Sequence, residues 1–516
     1  MQDSRPEPKK VESLGPLGVV MDSQDLARVR RALSAAGYTR DNVRRALRTE
    51  RSLTASPGEV VVFEHRVAGP TPLEALIRLF LIGSTVAESE VDASLPALGT
   101  EGLESIGLVE RVDGGVRSRV RIAPHGDILV ACDRAYYGDR PRDASDVVTG
   151  VTSPAILLAD FTIRKRVRRA LDLGTGGGIQ ALLLANHCDE VVAVDVNPRA
   201  LEFAALNSAL NGVDNVELRL GSWFEPVEGE QFDIITANPP YVMSPESTFL
   251  YRDSGMRADS LCRELVGALP RFLAEGGFGH ILISWALREG QEWSEPLRAW
   301  IEGATCDAWL LHYLTEDPLS QSAKWNLPLI AEGLATYDAA LGRWTDYYRR
   351  EEIDQVAFGA VIVRKRSDGP SWVRADSFRA GHGSSAGLVS RVFEAEDFLR
   401  GIGDSKALLQ ERFALVPEHR LEQRMRSAGG QWQLEDATLT LTQGIEFHGT
   451  LDINSAQVLR HLDGRNTLSQ AVGKARRDLG LPTSDTGPLA ETAVAMATRL
   501  FQLGFLVRGT ATQKME

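Results

Sequence analysis

Cysteine is scarce: four in 516 residues, at Cys132, Cys188, Cys262 and Cys306, with no Cys-x-x-Cys and no paired spacing. That excludes a disulfide-stapled scaffold, gives a zinc site little support and fits free thiols in a reducing compartment. No apolar run approaches the length of a membrane span. The amino terminus from Met1 to Pro16 is charged and proline-bearing and lacks the apolar core of a signal peptide. These absences point to a cytoplasmic protein. A basic surplus is also missing. The formal net charge of −13 argues against whole-surface attraction to nucleic acid or to an anionic membrane, while leaving room for a local basic patch. No repeat of solenoid period is present.

What is there is ordinary globular composition, 43% hydrophobic and 25% charged, in a chain too long for one core. Two to four domains are expected. The most informative stretch runs from Leu171 to Tyr241. The apolar residues Ala170, Leu171 and Leu173 lead into Gly174-Thr175-Gly176-Gly177-Gly178, and a second apolar run follows at Ile179, Ala181, Leu182, Leu183, Leu184 and Ala185. This reads as strand, tight turn, helix. Glycines let the backbone turn sharply and let a ligand approach where a side chain would collide. A dinucleotide fingerprint needs a glycine where this chain has Ile179. The pattern Asp172-x-Gly174-x-Gly176-x-Gly178 fits S-adenosylmethionine better, with Asp172 suited to the positive methionine end. A glycine-rich turn with no ligand is the plainer alternative.

Val191 to Val194 reads as a buried strand ending at Asp195. An acidic residue there is placed to accept both ribose hydroxyls of a cofactor, or to cap a helix starting at Pro198. Further on, Phe232 to Ala237 leads into Asn238-Pro239-Pro240-Tyr241. The two prolines remove two backbone donors and hold their predecessors extended. The Asn238 side-chain oxygen and a nearby carbonyl can accept both hydrogens of one –NH₂ group, and Tyr241 can stack on the plane that carries it. Such a grip aims a delocalised nitrogen at a sulfonium methyl and stabilises positive charge as it develops. A rigid turn at a strand end is the alternative without chemistry.

Together Asp172 to Gly178, Asp195, Gly221-Ser222-Trp223-Phe224-Glu225-Pro226 and Asn238-Pro239-Pro240-Tyr241 resemble a class I methyltransferase of the N-methylating branch. Within it they resemble most the HemK-type release-factor glutamine methyltransferases, and Arg252-Asp253-Ser254-Gly255-Met256 is similar to a segment of that family. The resemblance covers about residues 151 to 366. It implies S-adenosyl-L-methionine as cofactor, held by Asp172, Gly174, Thr175, Gly176, Gly178, Asp195, Ser222, Trp223, Phe224 and Asn238. It implies Asn238, Pro239, Pro240 and Tyr241 as the catalytic set, and no metal. The family often has an acidic residue where this chain has Ser222; Ser222 can still hydrogen-bond, and Trp223 or Phe224 can flank the adenine. The Asn-Pro-Pro-Tyr motif is shared with DNA adenine and ribosomal guanine methyltransferases, so it speaks to reaction type more than to substrate.

The flanks complete the expected layout. Met1 to Leu17 reads as a disordered tail. Helices are predicted over Ser23–Ala36, capped by Ser23, and from Thr39 through Leu47. They carry Arg28, Arg30, Arg31, Arg40, Arg44, Arg45, Arg48 and Arg51, a local surplus of +4. This patch fits RNA, the ribosome or an acidic partner, or is a solvated helix face. Thr71–Gly83, Val86–Leu95 and Gly102–Gly107 read as helices. A hairpin turning at Asp113-Gly114-Gly115 follows, and the whole has a winged-helix outline. Asp127–Asp133 reads as a strand and Arg134–Asp146 as a loop. After Tyr241 come a helix over Leu261–Leu273, a strand over Gly279–Trp285 and an antiparallel pair at Trp309–Leu314 and Val356–Arg364.

The fold class is thus an α/β, Rossmann-like, seven-stranded class I methyltransferase core between helical, winged-helix-like flanks. The predicted domains are 1–150, 151–366 and 391–516, with 367–390 as linker. In the last of them Thr438–Thr442 reads as a strand, Leu459–Leu462, Leu468–Ala475 and Leu489–Leu503 as helices, and Gly504–Val507 as a strand. The expected function is methyl transfer to a planar –NH₂ nitrogen, first a protein glutamine amide of the release-factor kind. The alternatives are an exocyclic amine of adenine or guanine in RNA or DNA, and a non-catalytic scaffold.

Overall fold

The computed structural model describes residues 19, 22–49, 53, 57–134, 145–379, 383–482 and 487–509. The expected tail and Arg51 lie outside the described residues, as do residues 135–144 of the loop and 380–382 of the linker. The chain forms two compact units, one of residues up to 159 with 165–376, the other of residues 160–164 with those from 377 onward.

The first unit is built on one sheet of eight strands: β1 (Val167–Leu173), β2 (Cys188–Asp195), β3 (Val216–Leu220), β4 (Phe232–Ala237), β5 (Leu273–Leu287), β6 (Cys306–Glu316), β7 (Gln355–Lys365) and β8 (Val373–Ser377). Their order across the sheet is β8-β6-β7-β5-β4-β1-β2-β3. The β1–β2, β2–β3, β1–β4 and β4–β5 pairs are parallel, and β7 runs antiparallel to both β5 and β6. Chain order reverses between β1 and β4, which makes their carboxyl ends a topological switch point. The fold is therefore α/β, of the class I methyltransferase kind. Three helices matter for the site: α1 (Ile179–Ala185), α2 (Pro198–Asn211) and α3 (Ser260–Phe272). Two more, α4 (Pro318–Asn326) and α5 (Leu334–Arg350), fill the connection between β6 and β7.

The eighth strand corrects the linker reading. Residues 367–390 are rich in turn formers, yet Trp372 is 3% exposed and its carbonyl accepts from Ala308 N–H at 2.8 Å. Asp376 accepts from Trp309 Nε1 at 2.9 Å. These anchors hold an edge strand that composition alone does not reveal.

The boundary at 150 is also corrected. The residues before it share one apolar core with α2: Leu26, Val29, Leu33, Phe80 and Val109 pack in the same cluster as Phe203, Leu206 and Leu210. Two asparagines on the α2 face complete the join. Asn207 accepts from Ala131 N–H at 2.6 Å and donates to the Ala131 carbonyl at 2.9 Å. Asn211 does the same to Leu129, at 2.9 Å and 2.7 Å. The strand Ile128–Cys132 pairs with Arg121–His125 on one side, and these side-chain amides satisfy backbone groups on the other.

Before that strand come helices Ser23–Ala35, Arg40–Leu47, Pro57–Arg66, Pro72–Leu76, Glu88–Ser94 and Gly99–Ile106. The first is capped by Asp22, one residue ahead of the expected Ser23, because the Asp22 carboxylate accepts from both Gln24 and Asp25 N–H. Thr39 caps the second as predicted. The predicted helix over Thr71–Gly83 divides, its second half widening into a π-helical turn over Ile77–Ile82. Val109–Val112 and Gly115–Ser118 form the predicted hairpin, and Val86 bridges to Val116 beside it. Pro57–Arg66 has no counterpart in the sequence reading.

In the second unit Arg412–Leu415 pairs with Asp463–Thr467 and with Leu506–Arg508. A meander of His419–Ala428, Gln431–Leu441 and His448–Leu451 forms a separate sheet. Helices Ala386–Ile402, Ile453–Leu459, Leu468–Asp478 and Gly487–Gln502 complete it. The strand Asp463–Thr467 lies between the segments expected to be helical and has no counterpart in the sequence reading.

Candidate functional site

The glycine turn leaves β1 at Leu173, and Asn238 leaves β4 at Ala237. Leu173 and Ala237 are direct partners in the sheet, so the two motifs emerge side by side, about 4.8 Å apart at strand spacing. Gly174 and Gly176 have φ of +65° and +54°, values that favour glycine. A Cβ on Gly176 would meet nothing within 4 Å, and one on Gly174 would meet only the Trp223 ring, at 3.6 Å. The turn therefore faces open space with an aromatic ring beside it. Gly178 serves a different purpose. A Cβ there would lie 3.1 Å from the Cβ of Ala204, so its small size lets α1 approach α2.

Two aspartates hold this turn. Asp172 is 2% exposed. Its Oδ2 accepts from Thr175 Oγ1 at 2.6 Å and from Ala181 N–H at 3.2 Å, and its Oδ1 from Thr236 Oγ1 at 2.9 Å. Burial pushes its carboxyl up to about 6, against the pull of those donors. The expected direct reach of Asp172 to a methionine end is replaced by an inward role, and Thr175, 5% exposed, is likewise turned inward. Asp195 is half-buried at the end of β2. Its Oδ2 accepts from Gly176 N–H at 2.8 Å and its Oδ1 from Asn197 N–H at 2.9 Å. Burial raises its carboxyl too, opposed by these backbone donors. The cap of α2 is Asn197, whose side chain accepts from Arg199 N–H at 3.0 Å, so Asp195 is not the cap.

Beyond β3, Ser222 and Trp223 are half-buried at the same sheet edge, and Trp223 has φ of +48°. A bulky residue in that region stores strain, which clusters at functional sites. Phe224 is corrected to a core residue. It is 8% exposed and stacks on Phe272 of α3, with centroids 4.1 Å apart and planes 8° apart.

Past the end of β4, Pro239 is buried, and Asn238, Pro240 and Tyr241 are half-buried. The Asn238 carboxamide has no hydrogen-bond partner among the described residues. Tyr241 packs edge-on against Phe358, centroids 6.4 Å apart, and burial pushes its phenol well above the usual range. Its carbonyl accepts from Ser284 Oγ on β5, a fully buried hydroxyl that the sequence reading missed. Nothing in the local pattern around Ser284 marks it; only the sheet brings it there.

The Arg28–Arg51 patch is partly spent on packing. Arg30 donates to the carbonyls of Asn211 and, at 3.2 Å, Asp127. Arg28 pairs with Asp25 at 3.1 Å. Among the described residues there is no metal-ligating cluster and no helix long and apolar enough to cross a membrane. The four cysteines are buried free thiols.

Comparison with known proteins adds to this geometry. Residues 152–277 match the methyltransferase small domain, and residues 35–119 match a domain of unknown function, DUF7059. The release factor glutamine methyltransferase of Xylella fastidiosa (strain 9a5c) is 35% identical over 128 residues, 22% of this chain and 45% of that protein. That of Escherichia coli (strain K12) is 31% identical over 154 residues, 27% of this chain and 54% of that protein. That of Aliivibrio fischeri is 48% identical over 75 residues, 14% of this chain and 26% of that protein. The chain spans about half the length, or less, of these curated relatives. A putative methyltransferase of Bacillus halodurans is 19% identical with a TM-score of 0.28, covering 42% of this chain and 99% of that one.

S-adenosylmethionine is the cofactor of such domains, and the residues here fit it. The turn is open where a Cβ would stand on Gly176, an indole lies beside Gly174, and the half-buried Asp195 carboxylate accepts from the Gly176 N–H next to it. Over residues 152–277 this chain is similar to the methyltransferase small domain, and the curated relatives it matches are release factor glutamine methyltransferases.

Proposed function

We propose that the chain is an S-adenosylmethionine-dependent N-methyltransferase acting on a planar –NH₂ nitrogen, and that its acceptor is a protein glutamine side-chain amide of the release-factor kind. One observation carries the reading. The glycine turn and an unpartnered Asn238 carboxamide leave adjacent, directly paired strands at the switch point of the sheet. The names of the partial-length relatives support the choice of acceptor.

In this reading Gly174, Gly176, Ser222 and Trp223 line the cofactor site and Asp195 receives the ribose. Asp172 and Thr175 hold the turn in shape. When bound, S-adenosylmethionine supplies an electrophilic sulfonium methyl. The Asn238 oxygen and a backbone carbonyl of the Asn-Pro-Pro-Tyr segment accept the two amide hydrogens, which orients the nitrogen and stabilises the positive charge it gains. Pro239 and Pro240 keep competing N–H donors away from those acceptors. Tyr241, neutral because burial raises its phenol, lies against the acceptor plane. No side chain need remove a proton before attack, since the methylated nitrogen loses it afterwards.

A second reading, methylation of an exocyclic amine of adenine or guanine, is favoured by a separate observation. The elements from Pro72 to Ser118 run helix, bridge, helix, helix, hairpin, a winged-helix-like order, and Arg28, Arg31, Arg45 and Arg48 are exposed. Tritiated-methyl transfer into a cell lysate, separated into protein, RNA and DNA, decides between them. Label in a protein of release-factor size supports the first reading, and label in nucleic acid replaces it with the second. Calorimetric titration with S-adenosylmethionine tests both against a scaffold role, for which no heat of binding is expected.

A further inference from the structure

The connection between β6 and β7 carries α4 and α5, and α5 lies against the segment that follows the Asn-Pro-Pro-Tyr motif. Val242 and Met243 are buried in one cluster with Trp344, Tyr347 and Tyr348 of α5 and with Ile353, Val356 and Phe358; Tyr241 packs on its margin. Polar contacts fix the segment along its length. Tyr348 Oη donates to the Met243 carbonyl at 2.9 Å. Glu246 Oε1 accepts from Arg343 Nη2 at 3.2 Å and from Trp344 Nε1 at 3.3 Å. Tyr347 Oη accepts from Ala258 N–H at 2.9 Å. Arg257 pairs with Glu351 just past the helix.

The segment is also closed on itself. Arg252, 7% exposed, donates to Asp253 at 2.6 Å and 3.0 Å and to Glu246 Oε2 at 3.2 Å. The Asp253 Oδ2 accepts from Thr248 and Phe249 N–H, both at 3.1 Å. Glu246 is thus the group that joins the internal closure of the loop to the helix. Among the described hydrogen bonds, none runs from α5 to the Gly174–Gly178 turn or to Asp195.

Resting on the N-methylation reading, we infer that α5 is a positioning element. Through Glu246, Tyr347 and Tyr348 it sets the shape of residues 242–259 and thereby decides which acceptor reaches Asn238. Cofactor binding is held by separate contacts on the other side of the switch point. Glu246, Tyr347 and Tyr348 are positioning residues, acting on the acceptor through the loop they hold.

The test uses the full chain and two readouts. The first is steady-state methyl transfer to a release factor produced in a host without its own glutamine methyltransferase or, where the lysate experiment labels another protein, to that protein. Tyr348→Phe is expected to raise the acceptor KM about three- to tenfold, the effect of one lost hydrogen bond, and Glu246→Ala, which gives up three, by at least as much. Affinity for S-adenosylhomocysteine should stay unchanged by calorimetry. Glu246→Gln, which keeps the oxygen that accepts from Trp344, should recover most of the loss. The second readout is amide hydrogen exchange, which should quicken in residues 242–259 and not in the glycine turn. Unchanged KM and exchange in both variants, or an equal loss of cofactor affinity, overturns the inference alone. A wild-type chain that binds cofactor but methylates no protein overturns the reading and the inference together.

Discussion

The glycine turn is held mostly by near neighbours in the chain, Thr236 excepted, whereas the loop after Asn238, though closed on itself locally, takes its outer anchors from distant positions. Asp172 reaches Thr175 and Ala181, three and nine positions on, and Asp195 reaches Gly176, nineteen positions back. On the other side Tyr348 holds Met243 across 105 positions, and Ser284 holds Tyr241 across 43. The difference teaches a division of labour. In the proposed reading, a small invariant ligand is met by a local turn whose shape short-range chemistry dictates. A macromolecular acceptor is then met by a loop whose shape is imposed from outside, and substitutions on that side need not disturb the cofactor.

This contrast can be broken at several points. Phe224→Ala should cost about 3–5 kcal/mol of stability, because it empties a stacked core site. Denaturant unfolding checks this, and unchanged stability with weakened cofactor binding would return Phe224 to the ligand. Asn238→Ala should slow transfer about a hundred- to thousandfold, in the range seen for removing one preorganised transition-state contact, with S-adenosylmethionine affinity nearly intact. Loss of both together would mean the two sides are not separable.

Asp172 gives a pH signature on the cofactor side. Its carboxyl is raised to about 6 by burial. The native state therefore holds a proton that the unfolded chain releases near 4. Stability from this group is full below about 4 and is lost as pH rises through about 6, a change of about 3 kcal/mol. Asp172→Asn should flatten that part of the pH profile of unfolding, and a profile that keeps its slope would assign the titration elsewhere. Asp195→Ala should weaken cofactor binding by about 1.5–3 kcal/mol, measured by calorimetry. Unchanged affinity would remove Asp195 from the ribose position.

Much of the cofactor half was legible in the residues themselves. The apolar runs of β1 and β2, the glycines between β1 and α1, and the prolines after β4 each impose a local conformation, and the sheet pairs them as their order implies. The misreadings have physical reasons. Phe224 and Thr175 lie within the motifs, yet their side chains turn to the core, and a motif does not state which way a side chain faces. The strand β8 was hidden because Trp309 and Ala308, about sixty-five positions away, supply its anchors. The hold of α5 on the acceptor loop left no local trace, because Glu246 and Tyr348 gain their meaning only from each other's neighbourhood.

Asn207 is bonded to the carbonyls of Ala131 and, at 2.7 Å, Gly177, so one amide touches both the leading module and the turn that meets the cofactor. A fragment beginning at residue 151 would take away the Ala131 and Leu129 partners of Asn207 and Asn211 and uncover the apolar face of α2, leaving Asn207 only its bond to Gly177 and Asn211 only its bond to the Asn207 carbonyl. Transplanting the catalytic half onto a foreign leader would meet the same loss unless the newcomer offered an edge of matching register. The two parts share one core and one hydrogen-bonded seam, so a shortened chain that is to stay folded should keep both.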